Sequence, residues 1–67
     1  MDKFGQWVKE HRSASGDGLR PAAKCIGVSH ATLSRVERGY MPDIPTFSRI
    51  CRYYGINLKK ALDMLAP

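Results

Sequence analysis

Glycine residues divide this chain into short segments, and within each segment the apolar residues recur at helical spacing. Gly27, Gly39 and Gly55 each follow a segment in which apolar residues lie three or four positions apart. Helices often end at such a glycine, because it adopts the left-handed backbone conformation at little cost. No alternating apolar run is long enough to favour a strand. The pattern predicts an all-α fold of five short helices in one domain spanning residues 1–67.

Capping residues and apolar stripes give approximate bounds for these helices: 2–12, 19–26, 30–38, 44–54 and 58–65. Ser29, Asp43 and Asn57 precede the last three helices, and such residues often accept a hydrogen bond from the first turn. The predicted core is formed by the apolar stripes and the turn residue Val28: Phe4, Trp7, Val8, His11, Leu19, Ala22, Ala23, Ile26, Val28, Leu33, Val36, Phe47, Ile50, Cys51, Tyr54, Leu58, Ala61, Leu62 and Leu65.

Composition excludes several classes of protein. The hydrophobic content of 43% is too high for a disordered chain, and no apolar run approaches the roughly 20 residues that span a bilayer. The N-terminus lacks an apolar signal core, so we expect a cytoplasmic location. Cys25 and Cys51 lie far apart, and His11 and His30 are not at zinc-finger spacing. We therefore expect two reduced, partly buried thiols and no metal site.

Charge points to a polyanionic partner. The 67 residues include 11 Lys and Arg against 6 Asp and Glu, a net charge of +5, which suits a nucleic acid or an anionic surface. The positive charge is concentrated in the middle of the chain. Between residues 18 and 42 the only acid is Glu37, against the bases Arg20, Lys24, Arg35 and Arg38.

The third predicted helix has one face without apolar side chains. At 100° per residue, Leu33 and Val36 mark the core side. The other side carries only small, polar or cationic side chains within an arc of about 140°: His30, Ala31, Ser34, Arg35 and Arg38. A helix, a glycine-containing turn and a second helix form the helix-turn-helix pattern, whose second helix enters the DNA major groove. Spacing and charge alone leave open an ordinary helical hairpin in a bundle.

A resemblance to a known family favours the DNA-binding alternative. Residues 22–39 resemble the helix-turn-helix of the Cro/lambda-repressor family, also called the XRE family. The likeness is carried by Ala22-Ala23, Ile26-Gly27-Val28-Ser29 and Leu33-Ser34-Arg35-Val36-Glu37-Arg38-Gly39, and outside the motif by residues 8–12, Pro42, Phe47, Ile50, Tyr54, residues 55–57 and Leu62. It implies a compact five-helix lambda-repressor-like bundle and a transcriptional regulator that binds double-stranded DNA.

The resemblance and the charge pattern together suggest roles for individual residues. Base-reading positions are His30, Ala31, Thr32, Ser34 and Arg35. Phosphate-binding positions are Arg20, Lys24, Ser29, Arg38 and Tyr40. Arg35 suits a bidentate contact to guanine, with a phosphate contact as the alternative. Relatives also imply a structural ion pair between Arg12 and Glu37.

One departure from the family affects the start of the second helix. Many members carry Ser/Thr-Gln there, and the glutamine binds a phosphate. This chain has Gly18-Leu19. The Leu19 side chain cannot make that bond, so we expect its backbone N–H or the neighbouring Arg20 to replace it.

The sequence supports two hypotheses about function. Members of the family pair as two-fold dimers on palindromic operators, so we expect a small homodimeric repressor of the phage or mobile-element type. Candidate dimer contacts are Met41, Leu58, Leu62, Met64 and Leu65. The alternative is an antitoxin or adaptor module whose main partner is another protein.

Other activities have little support in the sequence. It shows no catalytic constellation, so we expect no enzyme activity, cofactor, membrane partner or small-molecule ligand. Trp7, Tyr53 and Tyr54 are expected to be packing residues, rather than a platform on which single-stranded bases stack.

Overall fold

The computed structural model describes residues 3–65, which form five α-helices and no strand. The helices are α1 (Lys3–Ala14), α2 (Leu19–Ile26), α3 (His30–Glu37), α4 (Ile44–Tyr54) and α5 (Leu58–Leu65). The all-α prediction is confirmed, and the bounds of α2, α4 and α5 agree with those predicted. α1 continues to Ala14, beyond its predicted end, while α3 ends one residue earlier than predicted. The predicted start of α1 at Asp2 and both ends of the range 1–67 lie outside the described residues.

Buried apolar side chains from all five helices form one core. Phe4, Leu33 and Ile50 are fully buried at its centre. α3 packs against both α1 and α2, so its core side is covered from two directions. The core consists of Phe4, Val8, Ala22, Ala23, Ile26, Leu33, Val36, Phe47, Ile50, Cys51 and Ala61.

Two predicted core residues of α5 lie at the surface. Leu58 and Leu62 are 51% and 55% exposed, whereas Ala61 is fully buried. α5 packs at the edge of the bundle, against α1 and α4, so only a narrow stripe of this helix reaches the core. Leu65 is half-buried against that core.

His11 and Cys25 are also more exposed than predicted. The His11 ring stacks on Trp7 with 3.9 Å between ring centroids, and its outer side faces solvent. Cys25 was expected to be partly buried, but it is exposed beside a groove between α2 and α4. The buried residues of α2 occupy one side of this helix, and Cys25 lies outside that side. Cys51 is buried, and this burial raises the pKa of its thiol.

The helix starts depend on the three predicted capping residues. Ser29 Oγ accepts a hydrogen bond from the Thr32 N–H over 3.1 Å, and Asp43 Oδ1 accepts one from the Thr46 N–H over 2.9 Å. Asn57 Oδ1 accepts from the Lys59 N–H over 2.8 Å. Each bond satisfies a backbone donor that has no partner within its own helix. The caps thereby fix where the surface helices begin.

Asp43 gives the fold a pH-dependent contribution. Its hydrogen bonds with Thr46 hold the pKa of the carboxyl below its ordinary value. A lowered folded-state pKa stabilises the fold above the unfolded value of about 4, and this stabilisation is lost as the pH falls through the folded pKa. Asp43→Asn keeps an acceptor without the charge. We expect wild type to melt at a higher temperature than this variant at pH 6, with the difference shrinking towards pH 3. An equal difference at both pH values would contradict this role.

Candidate nucleic-acid interface

The turn between α2 and α3 is held by backbone hydrogen bonds and by one arginine from α4. Gly27 has a φ of 95°, and the N–H groups of Gly27 and Val28 both donate to the Ala23 carbonyl, over 2.8 and 3.0 Å. Arg49 Nη1 donates to the Gly27 carbonyl over 3.3 Å. A side chain at Gly27 would be strained by this φ and would lie 2.9 Å from that nitrogen. The turn therefore fixes how α3 projects from α2.

One side of α3 faces solvent along its whole length. Leu33 and Val36 are buried on the core side. The opposite side, called here the open face, consists of His30, Ala31, Thr32, Ser34 and Arg35. Three of these residues are exposed, and the other two, Thr32 and Ser34, are half-buried. The five predicted base-reading positions therefore share one accessible surface.

The one carboxylate of α3, that of Glu37, is held in an ion pair with α1. Glu37 accepts two hydrogen bonds from Arg12, with Nε to Oε2 at 2.6 Å and Nη2 to Oε1 at 2.9 Å. The side chains of Arg12 and Glu37 are only 13% and 6% exposed. Donating these hydrogen bonds to the Glu37 carboxylate raises the pKa of Arg12. The structure thus contains the ion pair that the resemblance implied, and it neutralises the negative charge of α3.

Arg12 also links α1 to the loop before α2. Its Nη1 donates to the Asp17 carbonyl over 2.9 Å. This carbonyl lies in the loop that leads into α2. One guanidinium group therefore connects α1, this loop and α3.

A basic and an aromatic side chain lie together beyond the end of α3. The Arg38 guanidinium carbon is 5.7 Å from the centroid of the Tyr40 ring, a distance at which a cation and a ring attract each other. Arg38 Nε lies 3.4 Å from the Ser34 carbonyl oxygen, to which it donates. Tyr40 is 61% exposed. These contacts hold both side chains at one end of the open face.

The exposed side of α2 carries the other predicted phosphate-binding residues. Arg20 and Lys24 are exposed and lie one helical turn apart. Gly18 occupies the cap position without a side-chain hydrogen bond. Leu19 is half-buried against the core, so its side chain is not available to a phosphate. This agrees with the expectation that the Leu19 side chain does not replace the phosphate-binding glutamine that many family members carry.

The predicted dimer contacts differ in how much of each side chain is exposed to solvent. Met41, Leu58 and Leu62 are exposed, whereas Met64 and Leu65 pack partly against the core. Sequence reasoning missed Ile44, which is 83% exposed. Its position directly after the cap Asp43 was the available signal, since the first turn of a surface helix often lies outside the core.

Two structural residues were also missed. A Cβ atom at Gly5 would overlap with the Val36 carbonyl oxygen, so glycine allows α1 to lie against the end of α3. The signal was a glycine inside a helix, which costs about 1 kcal/mol relative to alanine and so suggests a packing reason. The bond from Arg49 to Gly27 had no signal in the sequence, because the two residues are far apart along the chain.

The aromatic side chains of α1 and α4 pack against one another. Trp7 contacts the rings of Phe4, His11 and Tyr54, while Tyr53 is exposed beside Tyr54.

Among residues 3–65, no three His, Cys, Asp or Glu side chains are grouped as metal ligands would be. None of the helices in this range combines the length and the apolar character that crossing a bilayer requires.

Comparison with known proteins identifies a family. A family model described as helix-turn-helix matches residues 19–60, which is more than half of the chain. The matched region runs from the start of α2 into α5 and includes the turn and the open face. Neither the comparison with curated proteins nor the comparison with solved structures yields a match.

Proposed function

Because the chain belongs to the Cro/lambda-repressor (XRE-type) helix-turn-helix family of DNA-binding regulators, we propose that it reads the DNA major groove with the open face of α3. The observation that carries this proposal is the absence of a carboxylate from that face: Glu37, the one acid of α3, is paired with Arg12 and largely buried. A phosphate-rich surface can therefore approach α3 without meeting an unpaired negative charge.

The open face suits contact with base edges. His30 and Ala31 lie in the first turn of α3, the part of a recognition helix that is nearest to the bases. Arg35 is exposed one turn later and can donate two hydrogen bonds to guanine O6 and N7. Ala31 allows close approach and fits against a thymine methyl group. We assign base reading to the open face as a whole.

Phosphate contacts are assigned to the residues on either side of the open face. Arg20 and Lys24 project from α2, and Arg38 and Tyr40 lie beyond the C-terminal end of α3. Cations on both sides of a reading helix fix its position on the duplex without reading sequence. Ser29 lies at the N-terminus of α3, where the helix dipole favours a phosphate.

A homodimer on a palindromic operator completes the proposal. One copy of α3 reads only a few base pairs, and two copies about 34 Å apart contact successive turns of the major groove. Exposed apolar side chains at Met41, Leu58 and Leu62 are available for pairing, together with half-buried Met64 and Leu65. Such a dimer represses by occupying a promoter in the cytoplasm, as small repressors of phages and mobile elements do.

Arg35 and Arg38 provide a matched pair of variants for testing these roles. Arg35→Ala is expected to cost about 1–3 kcal/mol on the preferred duplex and to relax selectivity at one base pair. Arg38→Ala is expected to weaken binding to every sequence by a similar factor and to reduce the salt dependence. Mobility shifts at several salt concentrations measure both. Equal losses on all sequences for both variants would remove Arg35 from base reading.

The exposed apolar residues also support a second candidate, a module that binds another protein, such as an antitoxin or an adaptor. Met41, Leu58 and Leu62 would then form the partner surface. Sedimentation of the purified chain, combined with selection from a random DNA pool, separates the two functions. A dimer that selects a palindrome supports the regulator. A monomer that selects no duplex supports the protein-binding module.

A further inference from the structure

Arg49 of α4 reaches the turn between α2 and α3 from outside that motif. Its Nη1 donates to the Gly27 carbonyl over 3.3 Å. The direction of this bond is fixed, because a guanidinium group only donates and a carbonyl oxygen only accepts. Gly27 lies after the last residue of α2 and before α3, so its carbonyl belongs to neither helix. Among residues 3–65, Arg49 is the only hydrogen-bond donor to this carbonyl.

The charge and the shape of the turn both favour this contact. Gly27 caps the C-terminal end of α2, and that end of a helix carries a partial negative charge that attracts a cation. A Cβ atom at Gly27 would lie 2.9 Å from Arg49 Nη1, so the guanidinium group occupies space that a side chain at this position would need. The contact therefore depends on both residues.

The bond connects the turn to α4, a helix outside the main packing partners of α3. α3 packs against α1 and α2, whereas α4 packs against α2 and α5. His30 and Ala31, which begin the open face, follow Gly27 by three and four positions. A change in the conformation of the turn therefore changes where these two side chains lie.

Arg49 lies on a different surface from the open face. It lines the groove between α2 and α4, together with Arg52 and Cys25, and it is exposed there. None of the five residues of the open face lines this groove. Any effect of Arg49 on base reading is therefore expected to pass through the turn rather than through a contact with bases.

We infer that Arg49 is a positioning residue for DNA recognition: by holding the Gly27 carbonyl, it keeps the first turn of α3 in the orientation in which the open face reads bases. This rests on the proposed function and concerns a residue that does not itself contact DNA. Without the bond, the turn adopts further orientations, and DNA binds only the competent fraction. The loss falls on sequence-specific binding, which needs precisely placed side chains, more than on nonspecific binding, which depends on charge.

Arg49→Met and Arg52→Met form a matched pair for the test. Both arginines are exposed and line the same groove, so each variant removes one positive charge from the same surface. On the duplex that the chain selects from a randomised pool, Arg49→Met is expected to weaken binding about 3- to 10-fold, the effect of losing one hydrogen bond. Arg52→Met on that duplex, and both variants on an unrelated duplex, are expected to lose less than about 2-fold, because salt screens a single exposed charge.

Two binding results would overturn the inference and leave the proposed function standing. Equal losses for Arg49→Met and Arg52→Met on the selected duplex would show only a general effect of charge. A loss for Arg49→Met by the same factor on every duplex, with a smaller salt dependence, would make Arg49 a direct phosphate contact. Failure of the wild type to select any duplex would overturn both the inference and the proposed function.

Amide hydrogen exchange of the free protein shows whether Arg49 acts through the turn. The N–H groups of Gly27 and Val28 are hydrogen-bonded within the turn. Arg49→Met is expected to speed their exchange about 3- to 10-fold, while Arg52→Met leaves it unchanged and the amide of fully buried Val8 keeps its rate in both variants. Unchanged exchange at the turn would contradict the positioning role. Equal acceleration at Val8 would show that Arg49 only stabilises the whole fold, which would contradict it as well.

Discussion

Gly5→Ala is expected to destabilise the folded protein by about 3 kcal/mol, although alanine is the better helix former. The added methyl group would overlap with the Val36 carbonyl oxygen and would also lie close to the Glu37 carbonyl. These are backbone atoms at the end of α3, so no side-chain rotation relieves the overlap. α1 and α3 would have to separate, which would also disturb the fully buried Phe4 and Val8.

Denaturant unfolding of Gly5→Ala measures this effect, with Gln6→Ala as the matched control. Gln6 is the next residue of α1 and is exposed, so its replacement is expected to change the unfolding free energy by less than about 0.5 kcal/mol. A chain of this size has a total stability of roughly 3–10 kcal/mol, so Gly5→Ala removes a large part of it. A variant as stable as the control would show that α1 and α3 are not in close contact.

Arg12→Ala is expected to cost about 3 kcal/mol of unfolding free energy, because it leaves the Glu37 carboxylate largely buried without its partner. It also removes the hydrogen bond to the Asp17 carbonyl that joins α1 to the loop before α2. Arg12→Lys is expected to recover only part of the loss, since an ammonium group cannot reproduce the two parallel bonds to Glu37. Chemical denaturation at neutral pH measures both variants.

Replacing both residues separates the destabilisation caused by an unpaired buried charge from the net contribution of the ion pair to the unfolding free energy. Changing Arg12 and Glu37 together to methionine leaves no buried charge, and we expect this variant to be more stable than Arg12→Ala. If Arg12→Ala lost less than about 0.5 kcal/mol, the pair would behave as an exposed surface ion pair. Glu37 would then be free to face DNA, which would weaken the argument from the open face.

The features that could be predicted from the sequence are those that depend on near neighbours in the chain. The ends of α2, α4 and α5 agree with prediction because glycine conformation and capping bonds act within a few residues. The exposed side of α3 follows from a helical period in which Leu33 and Val36 mark the core. The assignment of base reading to particular positions on that side, Thr32 among them, came from the family resemblance and not from the helical period.

The rest depends on contacts between distant segments. Leu58 and Leu62 fit an apolar stripe, but only the position of α5 at the edge of the bundle decides that they are exposed. The Gly5 contact depends on how α1 crosses α3, which no local pattern specifies. The pair formed by Arg12 and Glu37, separated by 25 positions, was expected only from the family resemblance.

The measurement that tests the central claim most directly is an NMR titration of the ¹⁵N-labelled chain with the duplex that it selects from a random pool. We expect the largest shifts of amide signals at residues 29–35, followed by Arg20, Lys24 and Arg38 beside the open face. Arg35→Ala should reduce the shifts caused by the same duplex. If the duplex binds while the signals of His30, Ala31 and Arg35 stay in place, α3 is not the reading helix and the account is wrong.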